Sequence, residues 1–202
     1  MPKKDNMYVE LFYDHYKDTF EQIKGYIKRR NTYSIIVLAL IVFLSFQTIN
    51  PELANLISTE VVYKNIGNVQ IDFEYVKTVL FLALLWVLAT YYRTILTIEK
   101  HYTYIHEIEE KLSNIMSPFQ IEREGKSYLN HYPYLLNVID KLYTIFFPIS
   151  IILFVIFKWI NEKTSVNVCL WNFWINTFIY ICIIVISLLY LSHKHFKDFK
   201  KK

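Results

Sequence analysis

Six histidines, His15, His101, His106, His131, His193 and His195, hold most of the chain's capacity for acid–base or metal chemistry. The stretch "HEIEE" at His106 supplies half of the zinc pattern H-E-x-x-H, in which two histidines one turn apart share a helix face with a glutamate base. Position 110 is Glu, so the second ligand is missing. The residual metal reading joins His106 to Glu107, Glu109 and Glu110; an ordinary solvated helix is the plainer one. His193 and His195 sit in a basic tail, where lipid contact explains them. The chain has only three glycines, and the sequence contains no nucleophile elbow, phosphate-cradling loop or dinucleotide fingerprint. We therefore assign no catalytic, cofactor-binding or metal residue, and expect no enzymatic activity and no cofactor. Cys169 and Cys182 are separated by thirteen residues of one helical pattern. That places them about 20 Å apart at a rise of ~1.5 Å per residue, too far for a disulfide within one subunit.

A second polar pattern lies in apolar surroundings. Asn172, Asn176, Tyr180 and Ser187 fall, with Ile183, on one helical face of "WNFWINTFIYICIIVIS". Polar side chains striped along an apolar helix hydrogen-bond a neighbouring helix or line water. The stripe is read either as a contact within the chain or as an oligomer or pore face; the second reading predicts a homo-oligomer.

These residues require an apolar solvent around their helix. The chain is 54% hydrophobic and 18% aromatic, and its apolar residues are blocked rather than dispersed. Runs of about 18 or more apolar residues read as transmembrane helices. Four occur, at about 33–49, 76–98, 142–160 and 168–192, giving an all-α membrane protein with helical cytosolic extensions. The first span begins too far into the chain and is too long for a signal peptide, and no small-residue cleavage site follows it. It is expected to stay in the mature chain. The third span is expected to end near Ile160, with Lys158 in its last turn and Lys163 just past it, both counted with the connection that follows. Asp140 and Lys141 sit at its other edge and read as interfacial. With no carboxylate at mid-membrane, a proton-coupled carrier is disfavoured. Pro148 could kink the third span. No G-x-x-x-G occurs, so the spans are expected to pack through large side chains.

Lys and Arg accumulate where a chain stays inside. Sixteen fall before the first span, between the second and third, or in the tail "HKHFKDFKKK"; three, Lys64, Lys158 and Lys163, fall on the other side. Both termini are expected in the cytosol. The organisation is then a cytosolic amphipathic helix (1–32), a transmembrane hairpin (33–98), a cytosolic helix and loop (99–134), a second hairpin (135–192) and a basic cytosolic tail (193–202).

Two amphipathic stripes leave the membrane on that side. Val9, Phe12, Tyr16, Thr19, Ile23 and Tyr26 alternate spacings of four and three, a heptad seam. Ile98, Tyr102, Ile105, Ile108, Leu112 and Ile115 keep helical spacing after the second span, and Pro118 should end that helix. Packing the stripes on each other, with Phe12, Tyr16 and Ile23 facing Ile98, Ile105, Ile108 and Leu112, gives a helical head; the alternative lays the first helix flat on the headgroups. Residues Gln120–Asn137 are the least periodic cytosolic piece, either a recognition loop or a set of interfacial tyrosines. Outside, Asn50 should cap a short helix beginning at Pro51, with a hairpin-like turn at Asn65–Asn68.

The run-on segments "YDHYKDTFEQIKGYIKRRNTYSIIVL" and "RTILTIEKHYTYIHEIEEKL", with "EGKSYLNHYPYLLNVIDKLYTIFFP", give the chain an architecture that resembles small four-span bacterial anti-phage membrane proteins. These are the multi-pass accessory proteins of Cas13b CRISPR nucleases and the SLATT-type effectors. The resemblance implies a multi-pass protein of the bacterial inner membrane that alters membrane integrity or regulates a partner nuclease during infection. Its implied partners are membrane lipid and a cytosolic protein or nucleoprotein; nothing in the sequence points directly to nucleic acid. The competing expectations are a membrane scaffold that recruits a soluble partner, and a small oligomeric channel.

Overall fold

The computed structural model describes residues 2–66, 73–115, 134–165 and 171–200. The described residues are almost wholly helical and contain no strand. The order is α1 (Pro2–Ile49), α2 (Pro51–Ile66), α3 (Phe73–Ile115), α4 (Tyr134–Lys141), a π-helical turn (Leu142–Phe146), α5 (Phe147–Ser165) and α6 (Trp171–Lys200). Four helical stretches are long and apolar enough to cross a membrane: Met7–Ile49, Tyr75–Ile115, Leu142–Thr164 and Trp171–Lys194.

The expected first and second spans, 33–49 and 76–98, are parts of longer helices. α1 passes from a charged amphipathic segment into an apolar one, and α3 from an apolar segment into a charged amphipathic one, each without a break. Neither helix contains proline beyond its first residue, and Gly25 is their only glycine, so nothing in the backbone interrupts the i→i−4 ladder. Hydroxyls at membrane depth are satisfied locally. Ser45, Thr48 and Thr90 donate to the carbonyls of Ile41, Leu44 and Trp86, each four residues back, as an apolar solvent requires.

α1 stops at Asn50, whose side chain accepts from the Leu53 amide at 3.3 Å. Pro51 occupies the first position of α2, where its missing N–H costs nothing. α2 runs through Asn65 and Ile66, so the expected turn at Asn65–Asn68 is helical over its first half; residues 67–68 lie outside the described residues. So do Pro118, residues 120–133 of the piece expected to be aperiodic and cytosolic, and Cys169. The π turn before α5 has its cause at Pro148. Proline has no N–H for the Thr144 carbonyl and its ring crowds that carbonyl. The helix entering it is wider, and the Phe147 amide reaches the Leu142 carbonyl five residues back, the register of a π-bulge.

The chain divides into two units. One comprises Met1–Thr32 with Tyr91–Asp140, and the other Tyr33–Thr90 with Lys141–Lys202. In the first, Tyr16 and Ile23 of α1 form a buried cluster with Ile105, Ile108 and Leu112 of α3; Val9, Phe12, Phe20, Ile27 and Tyr102 pack against it. The N-terminal helix therefore lays its apolar stripe against protein in this unit. Thr19 is buried on the same stripe, and Ile98 is buried on α3. In the second unit the buried side chains include Val37 and Leu44 of α1, Phe81, Leu84 and Leu88 of α3, Ile151 and Val155 of α5, and Ile179 and Ile183 of α6.

Candidate functional site

The second unit contains a buried polar hub built from all four spans. Its centre is Glu162 of α5, 7% exposed. Oε1 lies 2.9 Å from the Lys77 ammonium of α3 and accepts from Asn176 Nδ2 of α6 at 2.8 Å. Oε2 accepts from the Tyr180 hydroxyl at 2.7 Å. Asn176 turns its other end to α3, where Oδ1 accepts from the Thr78 hydroxyl at 2.8 Å. One helical turn before Glu162, Lys158 is 6% exposed and donates to the Leu44 carbonyl and the Thr48 hydroxyl of α1. Its ammonium also stands 5.8 Å from the centre of the Phe154 ring. The Tyr180 ring is held edge-on against Phe81 at 4.7 Å, which fixes the direction of its hydroxyl.

Helical periodicity places these groups. Ile151, Val155, Lys158 and Glu162 follow at four, three and four residues on one face of α5, apolar at one end and charged at the other. Asn176 and Tyr180 are one turn apart on α6, so both reach one carboxylate. Lys77 and Thr78 lie in the first turns of α3, and Leu44 and Thr48 in the last turns of α1. Every contribution comes from the end of its span that adjoins residues 50–72 or 166–170.

The expected polar stripe is thereby placed. Asn176, Tyr180 and Ser187 are buried within the single chain, and Asn172 is partly buried. Asn176 and Tyr180 spend their hydrogen bonds on Glu162 and Thr78. Of the alternatives open in the sequence, these two residues take the contact within the chain and need no second subunit to satisfy them. The third membrane-competent helix runs to Thr164, so Glu162 continues the helix of Lys158 past the expected span end at Ile160. The sequence signal was present: an apolar four-and-three stripe on α5 continues into Lys158 and Glu162 instead of stopping at Ile160.

In the first unit Glu109 is buried and accepts from the Tyr16 hydroxyl at 3.2 Å. Its other oxygen lies 3.7 Å from His106 Nδ1. Glu107 and Glu110 are exposed, so the carboxylates of "HEIEE" point to different surroundings and do not converge on His106. His101 accepts or donates at the Thr97 carbonyl, 2.8 Å away, and its ring meets Tyr26 at 5.3 Å. His15 and His193 are exposed; His131 lies outside the described residues.

Aromatic groups with polar tips mark the hub end of the second unit's hairpin. Lys163 extends over Trp159 at 5.5 Å, and Trp171 and Trp174 are exposed, the chemistry of a membrane–water interface. No protein-family model, curated protein or solved structure matches this chain.

Proposed function

We propose that this chain is a multi-pass bacterial inner-membrane protein of an anti-phage defence system, acting by membrane perturbation or by regulating a partner nuclease. Both termini face the cytosol, and lipid, a cytosolic protein or nucleoprotein and further copies of the chain are its partners. The observation that carries the reading is the continuity of α1 and α3. α1 supplies Tyr16 and Ile23 to a packed helical cluster, and Leu44 and Thr48 to the buried hub. α3 supplies Ile105 and Ile108 to the first and Lys77 and Thr78 to the second. A helix without an internal break carries a displacement along its length, so an event at the cytosolic cluster has a route to the spans.

The small-channel reading gains support from one observation. Buried ionisable side chains near the ends of apolar helices are costly and point to function, and Lys77, Lys158 and Glu162 are such groups in the hub. A scaffold that only recruits a soluble partner has no use for such a cluster. The test is a plating assay in a host carrying the gene with its chromosomal neighbours. Plating efficiency should fall for at least some phages, and a nuclease, nucleotide cyclase or reverse transcriptase gene should lie beside it. Unchanged plating across a broad panel, with unrelated neighbours, overturns the defence reading.

A further inference from the structure

Arg93 interrupts the second apolar run. It is exposed on α3 inside the stretch 76–98, whose only other charged residue is Lys77 at the opposite end. Thr97 and Lys100 follow it on one helical face, at spacings of four and three, and Lys100 is exposed as well. In the first unit, Tyr26 of α1 meets the His101 ring of α3 at 5.3 Å and carries the Arg29 guanidinium at 5.6 Å. Arg29 is also exposed. Three exposed cations from two helices therefore gather at the end of this unit from which α1 and α3 run on as apolar segments.

Nothing acidic answers them. No Asp or Glu occurs between Glu21 and Ile49 of α1, or between Tyr75 and Ile98 of α3. Among the described residues no carboxylate pairs with Arg29, Arg93 or Lys100, whereas Lys24 is held by Glu21 at 2.9 Å. Glu99, the nearest acid in sequence, turns one carboxylate oxygen into the protein. Residues 116–133 carry two acids and two bases, and residues 195–202 four lysines and one aspartate, so these segments bring no net negative charge. An exposed arginine on an apolar helix is costly unless its guanidinium meets an anion. Beyond Arg93 the same face of α3 continues as Trp86, Leu82 and Val79, which are 70%, 48% and 62% exposed. A ligand that suits both halves of the face carries a negative group and a hydrocarbon chain.

We propose that this face of α3, with Arg29 of α1 beside it, binds an anionic phospholipid. Arg93 and Lys100 hold the headgroup phosphate, and an acyl chain lies along Trp86, Leu82 and Val79. Arg93 and Lys100 stand two turns apart, about 10 Å at ~1.5 Å per residue. Two long side chains that snorkel toward one headgroup layer span that distance. Arginine stands at the deeper position, where its planar fork grips two phosphate oxygens. Basic residues where adjoining spans leave the bilayer are a general mode of anionic-lipid recognition. Free phosphate offers no chain for the apolar half of the face. The inference rests on the chain spanning a membrane and not on the defence reading.

The experiment uses the full chain in mild detergent, with phosphatidylglycerol and phosphatidylcholine of identical acyl chains as probes. Native mass spectrometry should show phosphatidylglycerol retained about 10-fold or more over phosphatidylcholine, the preference expected of two cations facing an anionic headgroup. Arg93→Gln combined with Lys100→Gln should bring the two lipids level. Lys111→Gln, which removes an exposed cation of the same helix three turns further from the span, should keep the preference. Excess glycerol 3-phosphate should not displace the lipid. In a chain with Trp159, Trp171 and Trp174 replaced by phenylalanine, brominated phosphatidylglycerol should quench Trp86 more strongly than brominated phosphatidylcholine at equal mole fraction. If the Arg93 and Lys100 double variant fails to fold, this quenching decides, because it leaves both cations in place. Equal retention of the two lipids, a preference that survives in the double variant, or equal quenching overturns the proposal. Displacement by glycerol 3-phosphate or by a polyglutamate peptide as effective as by phosphatidylglycerol overturns the choice of a lipid.

Discussion

Glu162 accepts from three different side chains on two other helices, and its removal should be felt by all of them. Truncating one partner of a buried ion pair leaves the other charged and unmatched, at a cost of roughly 3–5 kcal/mol. Glu162→Ala should therefore lower the detergent melting temperature sharply. Asn176→Leu should cost less, about 1–2 kcal/mol, because interspan hydrogen bonds are modest and two are lost. The comparison is a pair of thermal melts, with native mass spectrometry on each. The variant Asn176→Leu should melt lower at an unchanged oligomeric state, since its partners lie in its own chain. A melt equal to that of the wild type would show that the hub contributes nothing to holding the spans. At this scale the sequence was half legible. Asn176 and Tyr180 could be read as a polar face of one helix, but their partner Glu162 lies just past the expected span end at Ile160, where hydropathy gives no signal. Hydropathy alone draws that boundary, because it penalises a buried lysine and glutamate without knowing that each finds polar partners on other helices.

The helices themselves were far more legible, because period and punctuation are local. The seam Val9, Phe12, Tyr16, Ile23 and the α3 stripe Ile105, Ile108, Leu112 keep helical spacing into apolar spans with no proline between, and the structure gives unbroken helices there. What period could not show was Glu109, which sits in the apolar seam and is accommodated by the Tyr16 hydroxyl. Nor could it show the π turn, which depends on how Pro148 is entered. Ile105 is fully buried, so Ile105→Asp should place a charge in that cluster and destabilise the first unit by roughly 3–5 kcal/mol. Limited proteolysis in detergent checks this: cleavage within residues 1–32 should accelerate by at least an order of magnitude, and an unchanged digestion pattern would contradict it. Gly25 offers the opposite test. It lies inside α1, and a Cβ built there meets no atom within 4 Å. Gly25→Ala should stabilise the helix by about 0.5–1 kcal/mol, because alanine loses less backbone entropy and adds no clash. Circular-dichroism melts should show the gain.

For the whole molecule, the charge bias predicts an orientation, and α1 and α3 each contribute residues to both units. In a background with Cys169 and Cys182 replaced by serine, a cysteine at Asn65 should react with an impermeant maleimide in intact cells, and one at Lys201 only after permeabilisation. The reverse pattern would invert the topology. Under the proposed function, events at the helical cluster of α1 and α3 reach the membrane during infection. The most direct measurement is the membrane potential of infected cells, followed with a potential-sensitive dye, for the gene with its chromosomal neighbours. Cells carrying the wild-type chain should lose potential before lysis and restrict the phage. Cells carrying Ile105→Asp, matched for membrane insertion, should hold their potential and plate phage normally. Wild-type cells that keep their potential and plate phage as empty-vector cells do would contradict the account.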